Sequence, residues 1–153
     1  MASGHRYGFR VRAVDRSGRV GSWSSGSPTR SAIVGDGSPA VTYRGGWRSA
    51  GFATYLGGKV HYTRAAGATS ILRFSGGSVA VIGPMGPGRG RAALYLDGTY
   101  VGAIDQRAAR FAARRVLFVR NVGSGAHTLV VRSLGTAGRP QVAIDAFQIL
   151  GPA

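Results

Sequence analysis

Between residues 41 and 150 the chain breaks into short apolar runs separated by glycine-bearing turns, and this rhythm constrains the fold more than any other feature. The breaks fall at Gly57-Gly58, Gly76-Gly77, Asp97-Gly98, Gly123-Ser124-Gly125 and Gly138-Arg139-Pro140. Short runs rich in β-branched and aromatic residues read as strands, because helices need longer segments of 3.6-residue period. Strands are expected near Val41–Arg44, Ala53–Leu56, Lys59–Thr63, Ser70–Phe74 and Ser78–Ile82. Five more are expected near Ala92–Leu96, Thr99–Ile104, Val116–Arg120, His127–Arg132 and Val142–Leu150. Ile71-Leu72-Arg73-Phe74 and Val79-Ala80-Val81-Ile82 are apolar on both faces, as central strands are. Asp105 to Arg115 places Ala108, Phe111, Ala112 and Arg115 at helical spacing, yet all its neighbours are strands and a loop is the favoured reading. The expected fold class is all-β, an antiparallel sandwich.

The N-terminal part has its own character. Tyr7, Phe9, Val11 and Ala13 alternate with Arg10 and Arg12, which is a strand with one wet face. Arg16-Ser17-Gly18-Arg19 is turn chemistry, and Val20-Gly21-Ser22-Trp23 returns. Ser, Gly and Pro without periodicity follow. The expected division is therefore a hairpin in 1–25, a linker in 26–40 and a sandwich domain in 41–151. A lone hairpin is marginal in water, so this one is expected to be mobile or to borrow a surface.

Composition narrows the function. The chain has no Cys, which removes disulfides, thiolate metal sites and Cys nucleophiles. No apolar run is long enough for a membrane-spanning helix. Met1-Ala2-Ser3-Gly4 does not begin a signal peptide, so any export signal is expected to lie elsewhere. The net charge is +15, with 20 basic residues, all Arg but Lys59. That field attracts polyanions such as acidic glycans, wall polymers or nucleic acid, although codon bias toward Arg produces the same composition. Glu is absent, and Asp15, Asp36, Asp97, Asp105 and Asp145 offer no pair placed for glycoside hydrolysis. Asp97 belongs to a turn, Asp36 to the linker, and Asp145 is expected to pair with an Arg or with backbone N–H groups. His5, His61 and His127 share no metal-ligand spacing, and His127 reads as structural. No side-chain metal site is expected; calcium held by backbone carbonyls leaves no sequence signal and stays open. Gly83 to Arg91, "GPMGPGRGR", lacks Lys-Ser/Thr and leads into a strand, so it fails as a phosphate loop. No catalytic residue is expected.

Two resemblances enter here. Tyr7-x-Phe9-x-Val11-x-Ala13-x-Asp15-x-x-Gly18, followed by Trp23, resembles the closing hairpin of a fibronectin type III domain. The second covers Thr42 to Leu150. It rests on Gly46-Trp47, Gly57-Gly58-x-Val60-His61-Tyr62, Phe74-x-Gly76, Val81-Ile82-Gly83, Leu94-Tyr95-Leu96-Asp97-Gly98, Gly125-x-His127-Thr128-Leu129 and Val142-x-Ile144-Asp145-x-Phe147. Together these resemble the galactose-binding-like jelly-roll modules of secreted bacterial proteins, a group containing many carbohydrate-binding modules. The resemblance implies a jelly roll, an extracellular or cell-surface location and neighbouring domains in a longer parent chain. Fold alone does not settle function.

Sugar rings stack their C–H faces on flat side chains, so aromatic residues are the candidates for contact. A two-residue turn at Asp97-Gly98 would set Tyr95 beside Tyr100 on the outer face and send Leu94, Leu96 and Val101 inward, Leu94 opposite Val101. That pair is either a binding platform or an ordinary cross-strand contact. Trp47 reads as a loop-borne stacking residue or an end-plug of the core; Tyr55 and Tyr62 read equally as packing or contact residues. Arg44 and Arg48 are candidates for bonding hydroxyls or a carboxylate, or are solvated charge. The expected function is a non-catalytic carbohydrate-binding or surface-adhesion accessory module. A structural spacer without a soluble ligand, or a salt-dependent polyanion binder, are the alternatives.

Overall fold

The computed structural model describes residues 4–152; Met1-Ala2-Ser3, where the leader reading begins, lies outside them. Along the chain run β1 (Arg6–Tyr7), β2 (Arg10–Val11), β3 (Ser24–Ser25), β4 (Thr29–Gly35), β5 (Val41–Arg44) and β6 (Arg48–Gly51). A 3₁₀ turn at Leu56–Gly58 leads into β7 (Lys59–Thr63), β8 (Thr69–Ser75), β9 (Ser78–Met85), β10 (Arg91–Leu96) and β11 (Thr99–Asp105). The chain closes with β12 (Ala112–Asn121), β13 (Ala126–Ser133), β14 (Val142–Ile144) and β15 (Ala146–Pro152).

These strands form an all-β antiparallel sandwich. One sheet has the order β1-β4-β15-β9-β12, and the sheet facing it β11-β10-β13-β8-β5. Period-2 alternation sends every second side chain inward. In the first sheet one row is Val34, Phe147, Val81 and Phe118. In the second it is Leu96, Leu129, Leu72 and Val41. Phe147, Leu72, Leu129 and Val81 are fully buried in one apolar cluster. Each contributes about 1.5–3 kcal/mol by leaving water. A smaller sheet, β14-β7-β6, lies beside the two, and β2-β3 forms a separate hairpin.

Four expectations change. The supposed linker 26–40 contains β4, which pairs with β15 from Ala146↔Gly35 to Pro152↔Thr29. Backbone pairing holds it in the sheet without an alternating sequence: β15 lies along its whole length, and β1 meets it at Thr29 and Arg30. The strand expected at Ala53–Leu56 lies earlier, at Arg48–Gly51, because Gly57 and Gly58 take φ of 66° and 73° and curl the later residues into the 3₁₀ turn. The run Val142–Leu150 divides at Asp145, whose two sides join different sheets. A bulge at Leu94/Tyr95 sets Leu94 opposite Gly102, where Val101 was expected. The turn itself forms as read, with Asp97 and Gly98 at φ of 50° and 81°.

The N-terminal arm meets the sandwich along the edge of β4. β1 pairs with β4 at the edge of the sandwich. Beyond it Phe9, Val11, Val14, Val20 and Trp23 are all exposed.

Candidate functional site

The side of the β14-β7-β6 sheet turned away from the main core carries a second apolar cluster. Arg48 stands opposite Tyr62, Tyr62 opposite Ala143, and Ala50 opposite Val60, so alternation puts all five on one face. Tyr55, Val60 and Ala143 form the buried cluster, and Ala50, Tyr62 and Ala113 pack against it. The intervening residues point the other way. Ile144 enters the main core, and His61 stacks on Tyr43 with ring centroids 4.3 Å apart. His61 Nδ1 lies 2.7 Å from Oδ2 of Asp36, the residue expected in a linker and found buried.

Tyr55 organises this face. It is 7% exposed and held at three points. Arg89 Nη2 donates to its hydroxyl at 3.3 Å, and Arg114 Nη2 donates to its carbonyl at 3.1 Å. The following amide, Leu56 N–H, donates to Asp145 Oδ1 at 2.8 Å. Arg114 reaches the carbonyl from a left-handed backbone, φ 53°, a conformation that non-glycine residues adopt at some cost and that gathers at functional sites. Asp145 is wholly buried, and its Oδ2 has no protein partner. Burial pushes its carboxyl up to about 6, with the negative charge of Asp36 adding to the effect and the Leu56 N–H opposing it. Burial likewise pulls the Arg89 guanidinium below its ordinary range, and its Nη1 is buried without a partner.

Two phenyl rings cover Tyr55. Phe52 and Phe111 have centroids 5.9 and 6.2 Å from the Tyr55 ring and 6.0 Å from each other, all edge-on. They are 54% and 46% exposed. The Arg89 guanidinium carbon lies 5.8 Å from the Phe111 centroid. Along the same face, a cleft of about 340 Å³ is lined by Gly46, Arg48, Tyr62, Thr63, Arg64 and Ala65. The arrangement is an apolar floor with charged donors at its margins, suited to a flat ligand carrying hydroxyls at its edge.

The structure brings three of the candidate residues together here: Arg48, Tyr62 and Tyr55. Tyr55 is the foundation of the face rather than a surface contact. Trp47 is half-buried against the main core, 5.0 Å from Tyr43, with its Nε1 buried and unpaired. Arg44 is exposed on β5 of the second sheet. Tyr95 and Tyr100 stand side by side on that sheet's outer face, edge-on at 5.7 Å, with Tyr100 58% exposed. A shallow groove of about 370 Å³ beside them is lined by Gly67, Thr69, Tyr95, Gly98, Val130 and Arg132.

Phe52, Phe111, Arg89 and Arg114 were not among the candidates. Phe111 sits in the Asp105–Arg115 segment, where an apolar ring on a loop without a strand partner is itself a signal. Arg89 lies in the glycine-rich stretch weighed only as a phosphate loop. Among the described residues no three His, Asp, Cys or Glu side chains converge as metal ligands.

No protein-family model matches the chain, and no curated protein matches it. Solved structures do. A family 35 carbohydrate-binding module from an environmental isolate superposes with a TM-score of 0.61 at 14% identity, over 79% of this chain and 96% of that one. One from Clostridium thermocellum gives 0.61 at 15% identity, over 80% and 98%. The fold is that of these jelly rolls. A two-domain esterase active on acetylated mannans gives 0.63 at 14% identity, over 81% of this chain and 37% of its own. The chain spans between 28% and 37% of the length of such enzymes.

Proposed function

We propose that this chain is a non-catalytic carbohydrate-binding accessory module of a larger protein that acts outside the cell or at its surface. The observation that carries the reading is the pair of exposed rings, Phe52 and Phe111, seated on a Tyr55 clamped at three points. Rings held in place before binding lose little freedom when a sugar lies against them. Arg48 and Arg64, in the adjoining cleft, would direct N–H groups at hydroxyls. The jelly roll shared with two carbohydrate-binding modules supports the reading, as does the state of the acids. Asp36 and Asp97 are bonded to histidines, Asp105 to Arg139, Asp15 to its own turn, and Asp145 is sealed beneath the face. Fibronectin type III and other neighbouring domains belong to this proposal.

The Tyr95–Tyr100 pair favours a second location for the same function, since Tyr100 is largely exposed and a groove adjoins it. A polysaccharide screen by affinity electrophoresis, followed by calorimetry on the hits, separates the two. Phe52→Ala with Phe111→Ala should weaken binding about tenfold, a typical loss for anchoring aromatics. Tyr95→Ala with Tyr100→Ala should leave it within about twofold. The reverse pattern moves the site to the second sheet. Turnover of any glycan, or no binding across the screen, would sink the proposal.

A further inference from the structure

The N-terminal arm, residues 4–28, carries Arg6, Arg10, Arg12, Arg16 and Arg19 against a single acid, Asp15. Asp15 is engaged by its own turn. Its Oδ1 accepts from Ser17 N–H at 2.9 Å, the Ser17 hydroxyl at 2.7 Å and Arg19 N–H at 2.9 Å. Among the described residues no ion pair involves any of the five guanidinium groups. Arg10 opens β2 and Arg12 follows its last residue, while Trp23 immediately precedes β3, the strand that pairs with β2. The guanidinium carbons of Arg10 and Arg12 lie 4.5 and 4.7 Å from the centroid of the Trp23 ring.

A guanidinium stacked on a ring uses its face and leaves its N–H groups pointing outward in its own plane. Those edges are the part that grips a carboxylate or sulfate with paired bonds. The ring in turn is occupied by the guanidiniums, so Trp23 is not free to stack on a sugar or a base. The arm therefore offers charge recognition, held in position, and the opposite of what Phe52 and Phe111 offer.

We propose that the arm is a second binding surface, separate from the sandwich face, that engages an anionic polysaccharide through Arg10 and Arg12 braced on Trp23. Arg6, Arg16 and Arg19 strengthen the attraction at longer range. The choice of a polysaccharide among polyanions rests on the carbohydrate reading above; the site itself rests on the arm.

The test uses the full chain with heparin, which carries sulfate, and polygalacturonate, which carries carboxylate. Fully methyl-esterified polygalacturonate is the uncharged control, and a single-stranded oligonucleotide is the competing polyanion. Binding to one or both acidic polymers, none to the ester, and a steep fall with salt are expected. Retention by heparin alone assigns sulfate, and by polygalacturonate alone carboxylate. Arg10→Gln with Arg12→Gln should weaken binding about tenfold and reduce the slope against log salt by about 2. Trp23→Ala, which leaves every charge in place, should also weaken it several-fold. Acidic polymers bound by a chain that ignores every neutral glycan would support the arm and remove only the earlier reading. The proposal falls if neither acidic polymer binds, if the arm variants bind as the parent does, or if the oligonucleotide binds as tightly.

Discussion

Asp145 is the residue on which the candidate face is built, and its energetics have a definite sign. Its Oδ1 fixes the Leu56 amide, and Ala substitution would leave that N–H without its partner, at a cost of about 1–3 kcal/mol. Its ionisation, however, is unfavourable where it sits. The carboxyl is pushed up to about 6 from 3.8, so between those values the folded chain holds a proton that the unfolded chain has lost. Stability from this group is complete below the lower value and declines as pH rises through the upper one. Asp145→Asn keeps the acceptor and removes the charge. It should raise stability at pH 7.5 by about 1–2 kcal/mol after solvent screening is allowed for, and leave it nearly unchanged at pH 4. Urea unfolding at the two pH values decides this, and an equal shift at both would refute the assignment. Gln106 shows the uncharged counterpart. Its amide donates to Ala143 C=O at 2.6 Å and accepts from Ala143 N–H at 2.9 Å, completing the backbone of β14 as a neighbouring strand would. Gln106→Leu should cost about 2–4 kcal/mol in the same assay, because two buried backbone groups lose their partners together.

Between elements, the His127 side chain clasps two turns. Its Nδ1 lies 2.7 Å from Asp97 Oδ2 in the β10–β11 turn, and its Nε2 2.7 Å from Gly123 O before β13. Both partners are acceptors, so the doubly protonated ring is the form that satisfies both contacts. Its pKa is accordingly raised, chiefly by Asp97 and then by the Gly123 carbonyl, and that of Asp97 is lowered by His127. The contribution of His127 to stability is full below about 6.5 and is lost as pH rises through its raised value. An NMR titration should place His127 above about 6.5, and Asp97→Asn should bring it down; a titration at or below that figure would refute the clasp. This pairing shows where sequence reading stops. The Asp97-Gly98 turn and the His127 strand start were legible because each is a local pattern, a dipeptide with positive φ and a run of alternating residues. Their contact was not, since it joins positions thirty residues apart and depends on the register of β10 against β13. The candidate face divides the same way. Tyr55, Tyr62 and Arg48 lie in strands and turns that the pattern nearly located, whereas Phe52, Phe111 and Arg89 arrive from three separate loops and Arg114 from the start of β12, and only the folded sandwich brings them together.

At the scale of the whole molecule, the pairing of β4 with β15 sets where the folding unit begins. The sequence placed that boundary at residue 41, because nothing between Ser24 and Ala40 alternates. Yet β15 lies between β4 and β9 in its sheet, and its Phe147 and Ile149 are core residues. Removing β4 would strip one ladder of backbone hydrogen bonds from β15, remove Val34 from beside Phe147 and leave a flat apolar strand as an open edge. Truncation to residue 41 would also remove Asp36, and with it the contact that orients His61 beneath the candidate face. Removing the arm is different in kind. Among the described residues the arm meets the sandwich along the edge of β4, where Gly4 and His5 bond to Ser31 and Arg6 and Tyr7 pair with Arg30 and Thr29, while Phe9, Val11 and Trp23 make no part of its core. A chain starting at residue 27 should therefore melt cooperatively within about 5 °C of the parent, a shift corresponding to roughly 1 kcal/mol. A chain starting at residue 41 should lose more than the deletion of a buried side chain, which costs about 2–5 kcal/mol, and should aggregate or show no cooperative transition. Circular dichroism melts of the two truncations measure this directly. If the shorter chain melts like the longer one, β4 is an ornament of the sheet, and the candidate face stands on the residues after 41 alone.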